Sequence, residues 1–259
     1  MQNQQFGNAL SLDTMNMDGL VVLITGASRG IGRAIALRAA ADGAKVIVNY
    51  VSDVKAAHSV VSQIGADRAV AVRADISKTE EVEYLIDSAV SRFGKIDVLI
   101  PNAVYMPAGD IEALTEDQFD RTFGVNVKGP CFLVQKAIPH MPPGSTIIFI
   151  SSDLTDFNIL PPHYLLYIST KATLNQMVRV LAQNLAQKKI RVNAISPGAT
   201  ETEQFLTNNS NEIVRSLAEL SPFKRLGSPD EISAAVSLLW RKESGWITGQ
   251  VVRVNGGAT

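Results

Sequence analysis

A phenol and an ammonium stand four residues apart in Tyr167-Ile168-Ser169-Thr170-Lys171, in a stretch with helical spacing, so the two groups share a face. A phenol with an ordinary pKa of about 10 carries protons poorly near neutrality. A cation beside it can lower that value by about one to three pH units, which gives Tyr167 a usable role as acid or base. The spacing alone is common in helices and needs support. Ser151-Ser152 follows directly on the apolar run 147–150, and either hydroxyl can hold a substrate carbonyl. Asn126 sits in a helical pattern where a short amide is a poor helix former, so it serves either the chemistry or nearby backbone groups. Tyr164 competes with Tyr167, but Ile168 stands four residues beyond it and cannot tune a phenol. Tyr164 and His163 then belong to a pocket wall or to simple packing.

A second chemical feature is Thr25-Gly26-Ala27-Ser28-Arg29-Gly30-Ile31-Gly32, placed between an apolar run and an amphipathic stretch. Glycines allow a tight turn and close backbone approach, while free N–H groups and the dipole at a helix start attract a pyrophosphate. The position points to dinucleotide binding, with Gly26, Ser28, Gly30, Ile31 and Gly32 against the phosphates. An enzyme preferring NAD usually ends its second strand on an acid that meets the ribose hydroxyl. Here the end reads Asn49-Tyr50-Val51-Ser52, with no carboxylate before Asp53. Arg29 supplies a guanidinium for a 2′-phosphate, and Asn49 and Ser52 offer uncharged hydrogen bonds. The expected cofactor is NADPH/NADP+.

The elements that must position these groups are legible. Apolar runs rich in β-branched residues recur at 20–25, 45–50, 69–73, 97–100, 145–150, 190–195 and 250–254. Between them, 30–41, 79–92, 116–138, 169–187 and 229–240 carry helical spacing. The spacing predicts an α/β fold: a single-domain, Rossmann-like, doubly wound parallel sheet of about seven strands with helices on both faces. Residues 1–17 read as a loosely ordered extension and 18–259 as one domain.

The glycine turn, Asn126, Ser151-Ser152, Tyr-x-x-x-Lys, Pro197-Gly198, Ile247-Thr248-Gly249-Gln250 and Asn255-Gly256-Gly257 together resemble the short-chain dehydrogenases/reductases. The resemblance spans 17–259 and is greatest to fungal reductases of hydroxynaphthalenes, polyketides and steroids, which share the Val-Asn-Tyr strand end and a Pro-x-His-x-x-Tyr stretch. It implies that Tyr167 is the proton donor, Ser152 orients the carbonyl, and Lys171 binds the nicotinamide ribose while lowering the Tyr167 pKa. It implies that Asn126 holds a water linking that lysine to solvent. It also places Tyr50 at the cofactor with Asn49, Asp75 and Ile76 at the adenine, Asn102 and Ala103 along the cleft, and Pro197, Gly198, Thr200 and Thr202 at the nicotinamide amide.

Three departures stand out. Val104 replaces a glycine beside the cofactor ribose; fifteen residues rather than thirteen separate Ser152 from Tyr167, so the loop 153–166 should bulge over the substrate; and Asn255 replaces an aspartate, with an effect expected on packing only. Residues 203–222 read as a lid, with Phe205, Leu206 and Leu217 closing on a ligand.

Composition narrows the classes. A net charge of −1 gives no overall pull toward nucleic acid or an anionic membrane. No apolar run is long enough to cross a bilayer, and three scattered histidines offer no metal motif. Cys131, the one cysteine, reads as a small buried hydrophobe. The composition fits a cytoplasmic protein, and the resemblance implies a homo-oligomer, a dimer or tetramer, that reduces a small-molecule carbonyl or oxidises an alcohol, with a place in secondary metabolism. Redirected chemistry, as in a cyclase or isomerase, and a non-catalytic redox-sensing role are the alternatives.

Overall fold

In a computed structural model, which describes residues 17–259, the seven apolar runs form one parallel sheet. The strands are β1 (Val21–Ile24), β2 (Lys45–Tyr50), β3 (Ala69–Arg73), β4 (Val98–Ile100), β5 (Thr146–Ile150), β6 (Arg191–Pro197) and β7 (Val251–Val254). Their order is β3-β2-β1-β4-β5-β6-β7, so the winding reverses between β1 and β4, where the carboxyl ends of a doubly wound sheet open a crevice. The extension read at residues 1–17 lies outside the described residues except for Met17. That residue is buried and donates its N–H to the Asp42 carbonyl at 2.7 Å.

Successive strand residues point to opposite faces, and the sheet therefore splits the core in two. Val22 and Ile24 pack with α1 (Gly30–Ala41), α2 (Val54–Ile64) and α9 (Pro229–Trp240) through Ile35, Ala39, Val60, Ile232 and Val236. Val21 and Leu23 face the other layer, α3 (Thr79–Phe93), α5 (Gly129–Ala137) and α6 (Leu165–Leu185), through Leu85, Ile86, Leu133, Leu174 and Val178. With both faces covered, the strands carry near-continuous apolar runs rather than alternation.

Four elements depart from the periodicity reading. The helix α2 forms over a stretch without a helical assignment, capped by the Asp53 carboxylate, which accepts from the Ala56 N–H. The helix expected over 116–138 divides into α4 (Glu116–Phe123), a π-helical turn at Gly124–Lys128, and α5. The widened turn is where Asn126 makes side-chain bonds outside the helix. Helix α6 starts at Leu165, earlier than its apolar pattern, because a 3₁₀ turn at Pro162–Tyr164 feeds it. The lid segment folds as two short helices, α7 (Glu203–Asn208) and α8 (Asn211–Leu220), each N-capped by a hydroxyl. Cys131 is exposed, not buried, because α5 turns Leu133, Val134 and Ala137 toward the sheet instead. No helix among the described residues is long and apolar enough to cross a membrane.

Candidate active site

The carboxyl ends of β1, β2, β4, β5 and β6 border one cleft of about 1830 Å³, larger than the roughly 300–1,000 Å³ of an ordinary small-molecule pocket. It has room for a dinucleotide and a second molecule together. Every residue assigned from sequence to catalysis or cofactor binding borders this cleft except Asn126.

At one end lies the glycine turn, held by side chains of neighbouring strands. The Asn49 Oδ1 accepts from the Gly26 N–H at 3.3 Å, while its amide donates to the Val72 and Ala74 carbonyls. Asn102 Nδ2 donates to the Thr25 and Gly26 carbonyls, and the Thr25 hydroxyl accepts from the N–H groups of Asn102 and Ala103. Asn49 therefore spends its side chain on bracing the turn, which differs from a direct hydrogen bond to a cofactor. A Cβ on Gly32 would collide with the Gly26 carbonyl oxygen, and one on Gly26 would stand 3.0 Å from Ala103 Cα. Only backbone fits there.

The start of α1 is bare. Its N-cap residue Arg29 makes no side-chain cap bond and the first turn holds no acid, whereas α2, α4, α7, α8 and α9 are all capped by side chains. Uncapped N–H groups at a helix start fit an anion. The exposed Arg29 borders the same cleft as Tyr50 and Ser52, while Asp53 is committed to capping α2. Thr202 closes on the turn from the far side, its methyl lying 3.3 Å from where a Gly30 Cβ would stand. These residues fit a phosphorylated dinucleotide.

At the other end, β5 delivers the two serines in different roles. Ser151 donates to Asn175 Oδ1 at 2.6 Å, and Asn175 donates in turn to Thr155, so α6 locks the 151–155 turn. Ser152 is left facing the Tyr167 phenol, and its hydroxyl also accepts from the Leu154 N–H. Lys171 is 3% exposed, donates to the Ile150 carbonyl at 2.7 Å, and sits 5.6 Å from the centre of the Tyr167 ring. Tyr164 crosses Tyr167 edge to face at 6.4 Å and borders the cleft; His163 lies tilted against Tyr164, ring centres 4.3 Å apart, and is exposed behind it.

The charges differ from the expected tuning. Burial pushes the Tyr167 phenol up to about 12, against the opposing pull of the Ser152 hydroxyl. Burial also lowers Lys171 to about 8. The lysine was expected to lower the phenol; desolvation is instead the largest influence on both groups, and Tyr167 holds its proton throughout the neutral range.

Asn126 stands behind the wall, 1% exposed. Its amide clasps the backbone of Tyr105 through both N–H and C=O and donates to Thr170, the residue before Lys171. It thus binds the β4 loop to α6. Asn255 reaches further than packing, since its Nδ2 lies 3.4 Å from Asp153 Oδ2 beside Ser152. Leu154, Phe157, Ile159 and Pro161 of the longer loop border the cleft, as do Phe205 and Leu217 of the lid, whereas Leu206 faces outward. Sequence reasoning missed Asn175 and Asp153. An acid directly after a strand-end serine pair was the available signal for the second.

The chain is similar to known proteins over nearly its whole length. A family model described as enoyl-(acyl carrier protein) reductase matches residues 26–259. A versicolorin reductase of Emericella nidulans is 38% identical over 262 residues, covering 96% of this chain and 98% of its own. A short-chain dehydrogenase from Burkholderia cenocepacia, solved in complex with NADP, superposes with a TM-score of 0.89 at 33% identity, covering 94% of this chain and 99% of its own. An angucycline C-6 ketoreductase with bound NADP gives 0.88 at 35% identity, covering 94% and 96%.

Proposed function

The chain belongs to the short-chain dehydrogenase/reductase family, and from that premise we propose that it is an NADPH-dependent ketoreductase of secondary metabolism. Its substrate is a moderately bulky, largely apolar small molecule carrying a ketone or the keto form of a phenol. The observation that carries this reading is the convergence of Ser152, Tyr167 and Lys171 on the cleft that begins at the bare start of α1.

NADPH, when bound, supplies the hydride that the carbonyl carbon receives. Gly26, Ser28, Gly30, Ile31 and Gly32, which border the cleft, would hold its pyrophosphate through backbone, and Arg29 with Ser52 and Tyr50 would receive the 2′-phosphate end. Asp75 and Ile76 would meet the adenine, Asn102, Ala103 and Val104 the ribose, and Pro197, Gly198, Thr200 and Thr202 the nicotinamide, all of them residues that border the cleft. Ser152 donates to the substrate carbonyl oxygen and orients it toward Tyr167. The Tyr167 phenol, held protonated by burial, gives its proton to that oxygen as the alcohol forms. Lys171, fixed by the Ile150 carbonyl, would hold the nicotinamide ribose and stabilise the phenolate left behind. Asn126 sets the lysine's helix rather than touching the reactants.

Apolar lining at Leu154, Phe157, Phe205 and Leu217 supports an uncharged substrate of some bulk. The same reading makes the protein a cytoplasmic homo-oligomer, a dimer or tetramer; light scattering that finds only a 27.9 kDa species refutes that part. A panel of ketones and quinones, followed by loss of NADPH absorbance, tests the activity. Consumption with no member of the panel overturns it.

A further inference from the structure

The carboxyl group of Asp153 has no part in the chemistry above, yet it follows Ser152 directly and borders the same cleft. The residue is only 5% exposed. A carboxylate taken out of water normally demands a cation or several good donors. The cation in reach of this segment, Arg253 on β7, is committed elsewhere: its Nε donates to Asp156 Oδ2 at 2.7 Å. What Asp153 receives is neutral, the Asn255 amide at a long 3.4 Å and the N–H groups of residues 153 and 154. Gly198 lets the carboxylate approach the 197–202 loop, since a Cβ there would lie 3.2 Å from Asp153 Oδ2. The arrangement keeps a weakly satisfied acceptor beside the reacting groups, among apolar walls that suit an uncharged donor.

We propose that Asp153 accepts a hydrogen bond from a hydroxyl carried by the substrate, so that this cleft selects hydroxylated ketones over their unsubstituted counterparts. The inference rests on the ketoreductase reading and narrows its substrate class. Burial pushes Asp153 up to about 6, so it is charged at neutral pH and loses its charge in mildly acidic solution. The titratable and charged groups around it are Asp156 on its own segment, Tyr164 in the 3₁₀ turn before α6, Tyr167 and Lys171 on α6, and Arg253 on β7, already paired with Asp156. Tyr167 and Lys171 keep their charge states between pH 5 and about 7, and His163 lies behind Tyr164, so it is loss of the pH dependence in Asp153→Asn that assigns a change there to the carboxyl group.

The test uses the full chain with 2-tetralone and its monohydroxy ring isomers, comparing wild type with Asp153→Ala and Asp153→Asn. A hydrogen bond to a charged group corresponds to about 10–100-fold in kcat/KM, expected for at least one hydroxylated isomer over 2-tetralone. The ratio falls to near unity in Asp153→Ala, is intermediate in Asp153→Asn, and in wild type declines as pH drops through 6. A merely structural role lowers both ketones together and leaves the ratio alone. Calorimetry on the NADP+-saturated protein repeats the comparison without turnover, using 2-naphthol against the dihydroxynaphthalenes. No hydroxyl preference in wild type, or one that survives in Asp153→Ala, overturns the inference. A hydroxyl preference in binding without turnover of any ketone retains the subsite and overturns the ketoreductase reading instead.

Discussion

Around the glycine turn, side chains of Asn49, Asn102 and Thr25 tie β1 to β2 and β4 with bonds of 2.8–3.3 Å, and Gly32 leaves no room for a methyl group. Across the cleft, the wall is made of short 3₁₀ turns and the helices α7 and α8, with apolar side chains held in water: Ile159 is 90% exposed, Phe223 72% and Leu220 49%. A phosphate chain is bound by backbone N–H groups, whose geometry must be preset. An apolar substrate gains chiefly from area removed from water, which tolerates a loosely built wall that closes on its ligand. The contrast teaches that one end is built for an unvarying partner and the other for whichever molecule the loops fit.

The largest test acts where the two ends meet. Tyr167→Phe removes the transferable proton and keeps the ring, so turnover should fall by about 10²–10⁴-fold while NADPH titration is nearly unchanged. Tyr164→Phe should alter KM far more than kcat, because no lysine lies four residues beyond it. A Tyr167→Phe enzyme with normal single-turnover hydride transfer ends the mechanism.

Gly32→Ala strikes the rigid end. The added methyl collides with the Gly26 carbonyl and the Asn102 amide, so the fold should lose about 1–3 kcal/mol in urea titration and NADPH affinity should drop with it. Full affinity in this variant would mean that the brace is dispensable. Arg29→Ala should weaken NADP(H) by about tenfold or more in calorimetry and leave NAD(H) nearly untouched, as expected for a lost charged hydrogen bond. The smallest effect belongs to the loose wall. Phe205→Ala should raise the substrate KM by about 3- to 30-fold, with kcat less affected, and Leu206→Ala should change neither, since its side chain faces outward.

Asp153 offers a stability measurement that crosses the same boundary. Its folded pKa of about 6 lies above the ordinary carboxyl value, so its ionisation opposes folding, and its stabilising contribution is present below about pH 4 and lost as pH rises through 6. Asp153→Asn should therefore melt at a higher temperature than wild type at pH 7.5, by a margin that shrinks toward pH 4.

Strand positions, the parallel sheet and the glycine turn were legible because each follows from local pattern: β-branched runs bounded by turn residues, and glycines between a strand and a helix. The pairing of Tyr167 with Lys171 was legible for the same reason, since one helical turn brings four-apart residues together. The π turn at Gly124–Lys128 was not, as it depends on the clasp of Asn126 on Tyr105, whereas helix α2 was missed although its Asp53 cap on the Ala56 N–H is a local signal.

The sequence by itself determined which residues can carry a proton, bind a phosphate or form a strand, since those are properties of side chains and short-range spacing. Only the tertiary structure decided their states and division of labour. Asn175 on α6 takes Ser151 and leaves Ser152 for the phenol, Asn49 turns inward to brace the glycine turn, and Asp156 takes Arg253 and leaves Asp153 without a cation. Burial likewise reverses the expected shift of Tyr167. Hydrogen-bond partners and desolvation are set by segments up to a hundred residues apart, and no local pattern in the chain records them.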